Sequence, residues 1–212
     1  MAWRRRRTIR RRPKRRLRRR FRRRVPRPIK GNLSCKLTSI TTVDVIVSDN
    51  HSYWLHFNPA DFPEYTALAP NFEYVKFYKV VATVSPMQNI ASANDQLPAY
   101  VMIPWKDESN ITTKGFNAIC SYDRAKFRRG WQTGRMSFVP AVHVDVYDQA
   151  TKGALPMKVE YKPVIRYSPT NETKVYVGLV MFQGFADVNK KTHYNVKLDV
   201  YCKFYHQNTI NI

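Results

Sequence analysis

The densest concentration of chemically active side chains lies in the first thirty residues, where 18 are Lys or Arg and none is acidic. They come in blocks: Arg4, Arg5, Arg6 and Arg7, then Arg10, Arg11 and Arg12, then Lys14, Arg15 and Arg16, then Arg18, Arg19 and Arg20, then Arg22, Arg23 and Arg24, with Arg27 and Lys30 trailing. Like charge at this density repels itself in water, and Trp3, Ile9, Leu17, Phe21 and Val25 are too few to build a core. The segment therefore needs a polyanion. Guanidinium forks match phosphate oxygens two at a time and stack on bases, so a predominance of Arg over Lys points to nucleic acid. Pro13, Pro26 and Pro28 interrupt any helix, but Leu17, Phe21 and Val25 at four-residue spacing leave open a short helix on neutralised phosphates as well as an extended chain. The same basic runs satisfy the requirement for a nuclear localisation signal read by import receptors.

Other chemistry is sparse. The five histidines form no H-E-x-x-H pair, and the seven glycines form no phosphate-cradling pattern. Asp107 and Glu108 sit in a polar stretch that reads as solvated surface. Cys35, Cys120 and Cys202 are odd in number and far apart, which is the pattern of buried free thiols and not of a disulfide framework or a zinc site. No catalytic residue, metal site or cofactor is expected.

Subtracting the arm's 18 basic residues from the chain's 37 leaves 19 against 15 acidic residues from Gly31 to Ile212, a body of about +4. The expected division is a nucleic-acid-binding arm over 1–30 and one folded domain over 31–212, long enough for a single sizeable core. No run of about 18 apolar residues is present to span a bilayer, and the start lacks an apolar secretory h-region, so a cytosolic or nuclear protein is expected.

The body's apolar residues recur with period two. Leu37, Val43, Val45 and Val47 share one face of a first strand, Tyr53 to Phe57 reads as a second, and Asp61 is placed to cap a helical turn running to Leu68. Phe72 to Ser85 is a long strand stopped by Pro86. Tyr100 to Trp105 is a brief strand, and Lys106 to Ser121 reads as a polar loop. Beyond it a strand is expected with Arg124, Lys126 and Arg128 on one face and Ala125 and Phe127 on the other, which is either a solvated sheet face or a second DNA contact. Met136 to Val139, Val142 to Val146 and Met157 to Tyr161 alternate in turn. Asp148 to Pro156 reads as a linker and Ser168 to Thr173 as a loop. Lys174 to Phe182 is apolar on both faces, with Gly178 its thinnest point. In the last strand Tyr194, Val196, Leu198, Val200, Cys202 and Phe204 face one way. Eight or so strands with long loops and almost no helical period predict an all-β fold, and a body of this length suits an eight-stranded jelly roll better than a shorter sandwich.

Several pieces carry a family resemblance: the Arg blocks, Phe57-Asn58-Pro59-Ala60-Asp61-Phe62, Phe72-Glu73-Tyr74-Val75-Lys76-Phe77-Tyr78-Lys79-Val80 closing in Ser85-Pro86, Phe138-Val139-Pro140, and Tyr194-Asn195-Val196-Lys197-Leu198-Asp199-Val200-Tyr201. In this order and spacing the chain resembles the capsid proteins of circoviruses and cycloviruses, and its short arm and brisk loops look more like the latter. The resemblance implies a viral jelly roll that self-assembles into a small T=1 icosahedral shell, with the arm, disordered or partly ordered, turned inward onto a circular single-stranded DNA genome. It also implies a virion protein delivered to the host nucleus, and viral entry through attachment of outer loops to a cell-surface receptor that the sequence does not name. Lys76 and Lys79 alone are thinner than a heparin-type patch requires. A host histone-like or ribosomal protein is the rival reading, since it too hangs a basic tail on a folded body. The near-neutral, aromatic-rich body favours self-assembly over that rival.

Overall fold

The computed structural model describes residues 31–46, 49–87, 97–106, 115–148, 153–167, 173–184 and 191–207, and of 145–148 and 153–157 the backbone path alone. The arm over 1–30 and the loops over 88–96, 107–114 and 168–172 lie outside the described residues.

The alternating segment at the end of the chain forms the longest strand. In chain order the strands are β1 (Leu33–Ile46), β2 (His51–Phe57), β3 (Phe72–Pro86), β4 (Tyr100–Ile103), β5 (Lys126–Arg128), β6 (Gly134–Phe138), β7 (Ala141–Asp148), β8 (Gly153–Tyr161), β9 (Val164–Arg166), β10 (Val175–Phe182) and β11 (Lys191–Gln207). Tyr194, Val196, Leu198, Val200, Cys202 and Phe204 of β11 are all buried, as a strand with one face on a core requires. β11 is clamped between β1, paired from Leu33↔Phe204 to Ile46↔Lys191, and β3, paired from Gln207↔Phe72 to Tyr194↔Pro86.

All pairings are antiparallel and fall into two sheets. In the first, β1, β11 and β3 lie side by side, and β6 and β9 occupy successive stretches of the far edge of β3. In the second, β10 has β2 on one edge, while β4 and β7 follow one another on its other edge, backed by β5 and β8. Among the described residues eleven segments thus fill four lanes in each sheet, the eight lanes of a jelly roll.

The inner faces meet in one core, in which Phe57, Phe62, Phe77, Tyr65, Phe72 and Phe204 cluster at one end and Tyr100, Phe182 and Tyr194 at the other. The two buried tyrosines at the second end satisfy their hydroxyls on backbone carbonyls. Tyr100 donates to the carbonyls of Gln132 (2.6 Å) and Val84 (3.2 Å), and Tyr194 to that of Pro98 (2.9 Å). Gly178 sits at a bulge in β10, where a Cβ would lie 2.6 Å from the Ile103 carbonyl and 2.7 Å from the Phe138 ring.

Several sequence expectations are corrected. Asn58, not Asp61, is the N-cap: its side chain accepts from Ala60 N at 3.1 Å, and Asp61 reaches back to Asn58 N at 3.3 Å, closing a capping box over the 3-10 turn Pro59–Asp61. The helix α1 (Pro63–Leu68) that follows starts at Phe62 with proline in its first turn. A short helix, α2 (Phe116–Cys120), lies inside the stretch read as a polar loop, because Phe116 and Ile119 pack on a satellite core with Val101, Ile103, Leu179 and Met181. Arg124 is outside any strand, in a left-handed turn (φ 64). β8 begins at Gly153, within the expected linker, and β9 occupies three residues for which the sequence predicts no strand. Only Cys202 of the three free thiols is fully buried.

Candidate nucleic-acid and assembly surfaces

The arm's arginines lie outside the described residues, but its point of attachment does not. The described chain begins at Gly31, which lies against Gln207, the last residue of β11. The arm therefore joins the domain at the corner where β1 starts and β11 ends.

The outer face of the first sheet is built by the residues that alternate with the core. Strand register aligns them in rows: Lys36, Tyr201 and Lys79 across β1, β11 and β3; next Ser34, Lys203, Lys76 and Val164; next Tyr205, Tyr74 and Arg166. A bulge where β3 passes Tyr201 exposes Tyr78 and Lys79 in succession. Lys79 sits 5.7 Å from the Tyr201 ring centroid, Lys203 4.7 Å from that of Tyr205, and the Tyr78 and Tyr201 rings 6.3 Å apart. The acids near these rows are engaged. Asp199 accepts from Thr38 Oγ1 at 2.9 Å and lies 3.5 Å from Lys197 and 3.7 Å from Lys36, while Glu73 meets His206 at 3.1 Å. Along the sequence only Lys76 and Lys79 stand close together; Lys36, Lys203 and Arg166 come from other strands, and only the register unites them.

The structure separates the three cations expected to share one ribbon. Lys126 and Arg128 lie on β5, the short edge strand beside β4, and are half-buried, whereas Phe127 between them is 50% exposed. Lys126 donates its ammonium to the Arg135 carbonyl. Arg124, in its turn, is 3.8 Å from Asp123. The apolar base expected beneath the ribbon is instead an exposed ring.

Exposed apolar side chains concentrate at strand ends and edges: Trp131 at 54% in the turn before β6, packed by Arg129 at 5.4 Å, with Val139, Tyr161, Val164 and Phe127 elsewhere. Trp and Arg in such positions are characteristic anchors of protein interfaces. A cleft between β1 and β2 has Ser39, Thr41, His56 and Asp61 among its lining residues. Asp61 is committed to its capping box, so these side chains do not assemble into a nucleophile and oriented base. Among the described residues no group of three or more His, Cys, Asp or Glu is placed to hold a metal, and no helix is long and apolar enough to cross a membrane.

Comparison with known proteins returns a family model described as circovirus capsid protein, matching residues 4–208. The capsid protein of Human associated cyclovirus 1 is 39% identical over 191 residues, covering 86% of this chain and 85% of that protein. Among solved structures, the BFDV capsid protein as a 60-mer aligns with a TM-score of 0.63 at 13% identity, covering 86% of this chain and 98% of that one. The decameric BFDV capsid protein aligns with a TM-score of 0.56 at 14% identity, over 82% and 99%. At these identities the two structures speak for the fold.

Proposed function

The chain belongs to the circovirus capsid protein family, and from that premise we propose that it self-assembles into a small T=1 icosahedral shell and packages circular single-stranded DNA through residues 1–30. A capsid protein is structural, so the chain is no enzyme, and the rival reading as a host histone-like or ribosomal protein falls with the family assignment. The observation that carries the proposal is the charge split: an arm of 18 basic residues hangs from the Gly31–Gln207 corner of a body that is nearly neutral. A neutral body with exposed aromatic anchors can meet copies of itself without charge repulsion, while the arm supplies the counter-charge for a genome. The BFDV capsid protein, which shares the fold, forms a 60-mer, the copy number of a T=1 shell.

The same arm serves as the nuclear localisation signal, read by import receptors while it is uncovered. Virion and host nucleus are then the two locations, occupied at different times. Arg124, Lys126 and Arg128 are a weaker candidate for a second DNA contact, because two are half-buried and Lys126 already spends its ammonium on a carbonyl.

The test is electron microscopy of the purified full chain with and without circular single-stranded DNA, together with a salt titration of oligonucleotide binding. Uniform closed shells are expected. With half of the arm's charges engaged, the logarithm of affinity should fall with the logarithm of salt at a slope of roughly −6, from about −0.7 per phosphate. Protein that stays monomeric at every salt and concentration would overturn assembly, and salt-insensitive binding would overturn the arm's role. A reporter fused to residues 1–30 that remains diffuse would overturn the import function alone.

A further inference from the structure

We propose, resting on the packaging reading above, that the outer face of the β1–β11–β3 sheet is a second single-stranded nucleic-acid surface, in which Lys76 and Lys203 hold phosphates and Tyr74, Tyr201 and Tyr205 stack bases. Lys76 and Lys203 stand directly opposite one another in the β3–β11 ladder, and the row they share, Ser34, Lys203, Lys76 and Val164, contains no acid. Like charges directly opposed across strands destabilise a sheet. The nearby acids are already taken, Asp199 by Thr38, Lys36 and Lys197, and Glu73 by His206. Lys76 and Lys203 therefore present two ammonium groups with no acid in their row, a pair of charges that an anion laid across the sheet would meet.

The tyrosines identify the anion. On either side of the lysine row lies an aromatic row, Tyr205 opposite Tyr74 on one side and Tyr201 beside Tyr78 on the other. Alternate residues along a strand are about 6.8 Å apart, so Lys203 lies about 6.8 Å from each of Tyr201 and Tyr205 along β11, and the two rings recur at about 13.6 Å, about four times the 3.4 Å rise of stacked nucleotides in a duplex. An unstacked single strand laid along β11, drawn to about twice the 3.4 Å rise, thus brings every second base to a tyrosine, with the intervening phosphates over Lys203. Stacking of this kind accepts any base.

A sulfated glycan is held through its sulfates and would draw chiefly on the lysines, and a second copy of the chain would need an acidic face to meet them. Position favours the genome. The arm joins the body against Gln207, two residues beyond Tyr205, so a strand gathered by the arm is delivered to this end of the face.

The test uses the full chain and oligothymidylate in which bromodeoxyuridine replaces thymidine. Photocrosslinks mapped by mass spectrometry are expected at Tyr201, Tyr205 or Tyr74 in addition to the arm. The double variant Lys76→Gln/Lys203→Gln is expected to lower the magnitude of the salt slope by about 1.4, two phosphates' worth. Tyr201→Leu/Tyr205→Leu is expected to weaken binding about tenfold or more for the oligonucleotide, with a much smaller effect on an abasic phosphodiester chain of the same length. Crosslinks confined to residues 1–30, or slopes equal to that of the unsubstituted chain, would overturn the proposal and leave the arm's role standing. Loss of shell formation with unchanged DNA binding would make the face a contact between copies and overturn it likewise. Loss of heparin and oligonucleotide affinity in equal measure, with no dependence on bases, would assign the face to glycans instead. If the unsubstituted chain shows no salt-dependent DNA binding, the packaging reading fails, and this proposal with it.

Discussion

Cys35 of β1 and Cys202 of β11 stand directly opposite one another in the sheet, with their sulfurs 3.1 Å apart. The contact polarises the pair. The hydrogen bond from Cys202 lowers the Cys35 pKa, outweighing the upward push of burial and of Glu64, while the same bond together with burial drives the Cys202 thiol far up. Cys120 is raised by burial. Since the thiolate is the reactive form, a short iodoacetamide pulse on native protein near neutral pH should alkylate Cys35 first, and Cys202 only after unfolding. Peptide mapping that finds the three labelled at equal rates would contradict this polarisation.

Lys106 supports the bulge in β10. Its ammonium donates to the carbonyl of Val177, the residue that the bulge before Gly178 leaves off the β2 ladder, and, at 3.5 Å, to that of Tyr176. Burial lowers its pKa from 10.5 to about 8. Above pH 8 the unfolded chain therefore holds a proton that the native chain has lost, so this group's contribution to stability rises with pH. Above pH 10 the buried tyrosines act in the opposite sense, because Tyr65 and Tyr100 are held protonated to about 12 by burial. In urea titrations from pH 8 to 9.5, the stability of the native protein should gain about 1–2 kcal/mol relative to Lys106→Met. A difference that stays constant with pH would refute the assignment.

The reach of sequence reading follows from how far each signal extends along the chain. The alternation of β11 is local, six buried residues at every second position, and it is legible without any partner. The arm is legible because charge density needs no fold. Arg124 was misplaced because a left-handed turn in a non-glycine residue leaves no period to read, and a strand of three residues such as β5 or β9 is too short to establish one. α2 was missed because its Phe116 and Ile119 acquire meaning only from Val101 and Leu179 on other strands. The lysine and tyrosine rows across β1, β11 and β3 were invisible for the same reason: Lys76 and Lys203 are neighbours by register, 127 positions apart in the chain.

Asp199 gives the outer face its acid sensitivity. Burial pushes its carboxyl upward, but the Thr38 hydroxyl and the ammonium groups of Lys197 and Lys36 outweigh this and hold it below the ordinary value of 3.8. A depressed carboxylate contributes stability above its unfolded pKa and loses it as pH falls through the native one. Asp199→Asn should therefore cost about 1–2 kcal/mol at pH 7, moderated by the half-exposed lysines, and should flatten the decline in stability below pH 4. An acid limb as steep in the variant as in the native protein would count against this role.

The end of the core beneath β6 is held by Tyr194 and Gly130 together. Tyr194 donates its hydroxyl to Pro98 O at 2.9 Å and also approaches Gly130 O at 3.4 Å, so one buried side chain ties the segment before β4 to the turn before β6. Gly130 permits that approach because it has no Cβ: one added there would stand 2.6 Å from the Leu97 Cβ and closer still to the Leu97 carbonyl. Leu97 is itself buried, and its backbone cannot yield without dragging Pro98 away from Tyr194. Gly130→Ala should destabilise by about 1–3 kcal/mol through overpacking. Tyr194→Phe should cost about 1–3 kcal/mol by leaving the loop carbonyls without their donor. Because the alanine already displaces the acceptor that the hydroxyl uses, the double variant should lose at least about 0.5 kcal/mol less than the sum. Additive losses in denaturant titrations would show that the segment and the turn are anchored independently, and that Tyr194 does not join them.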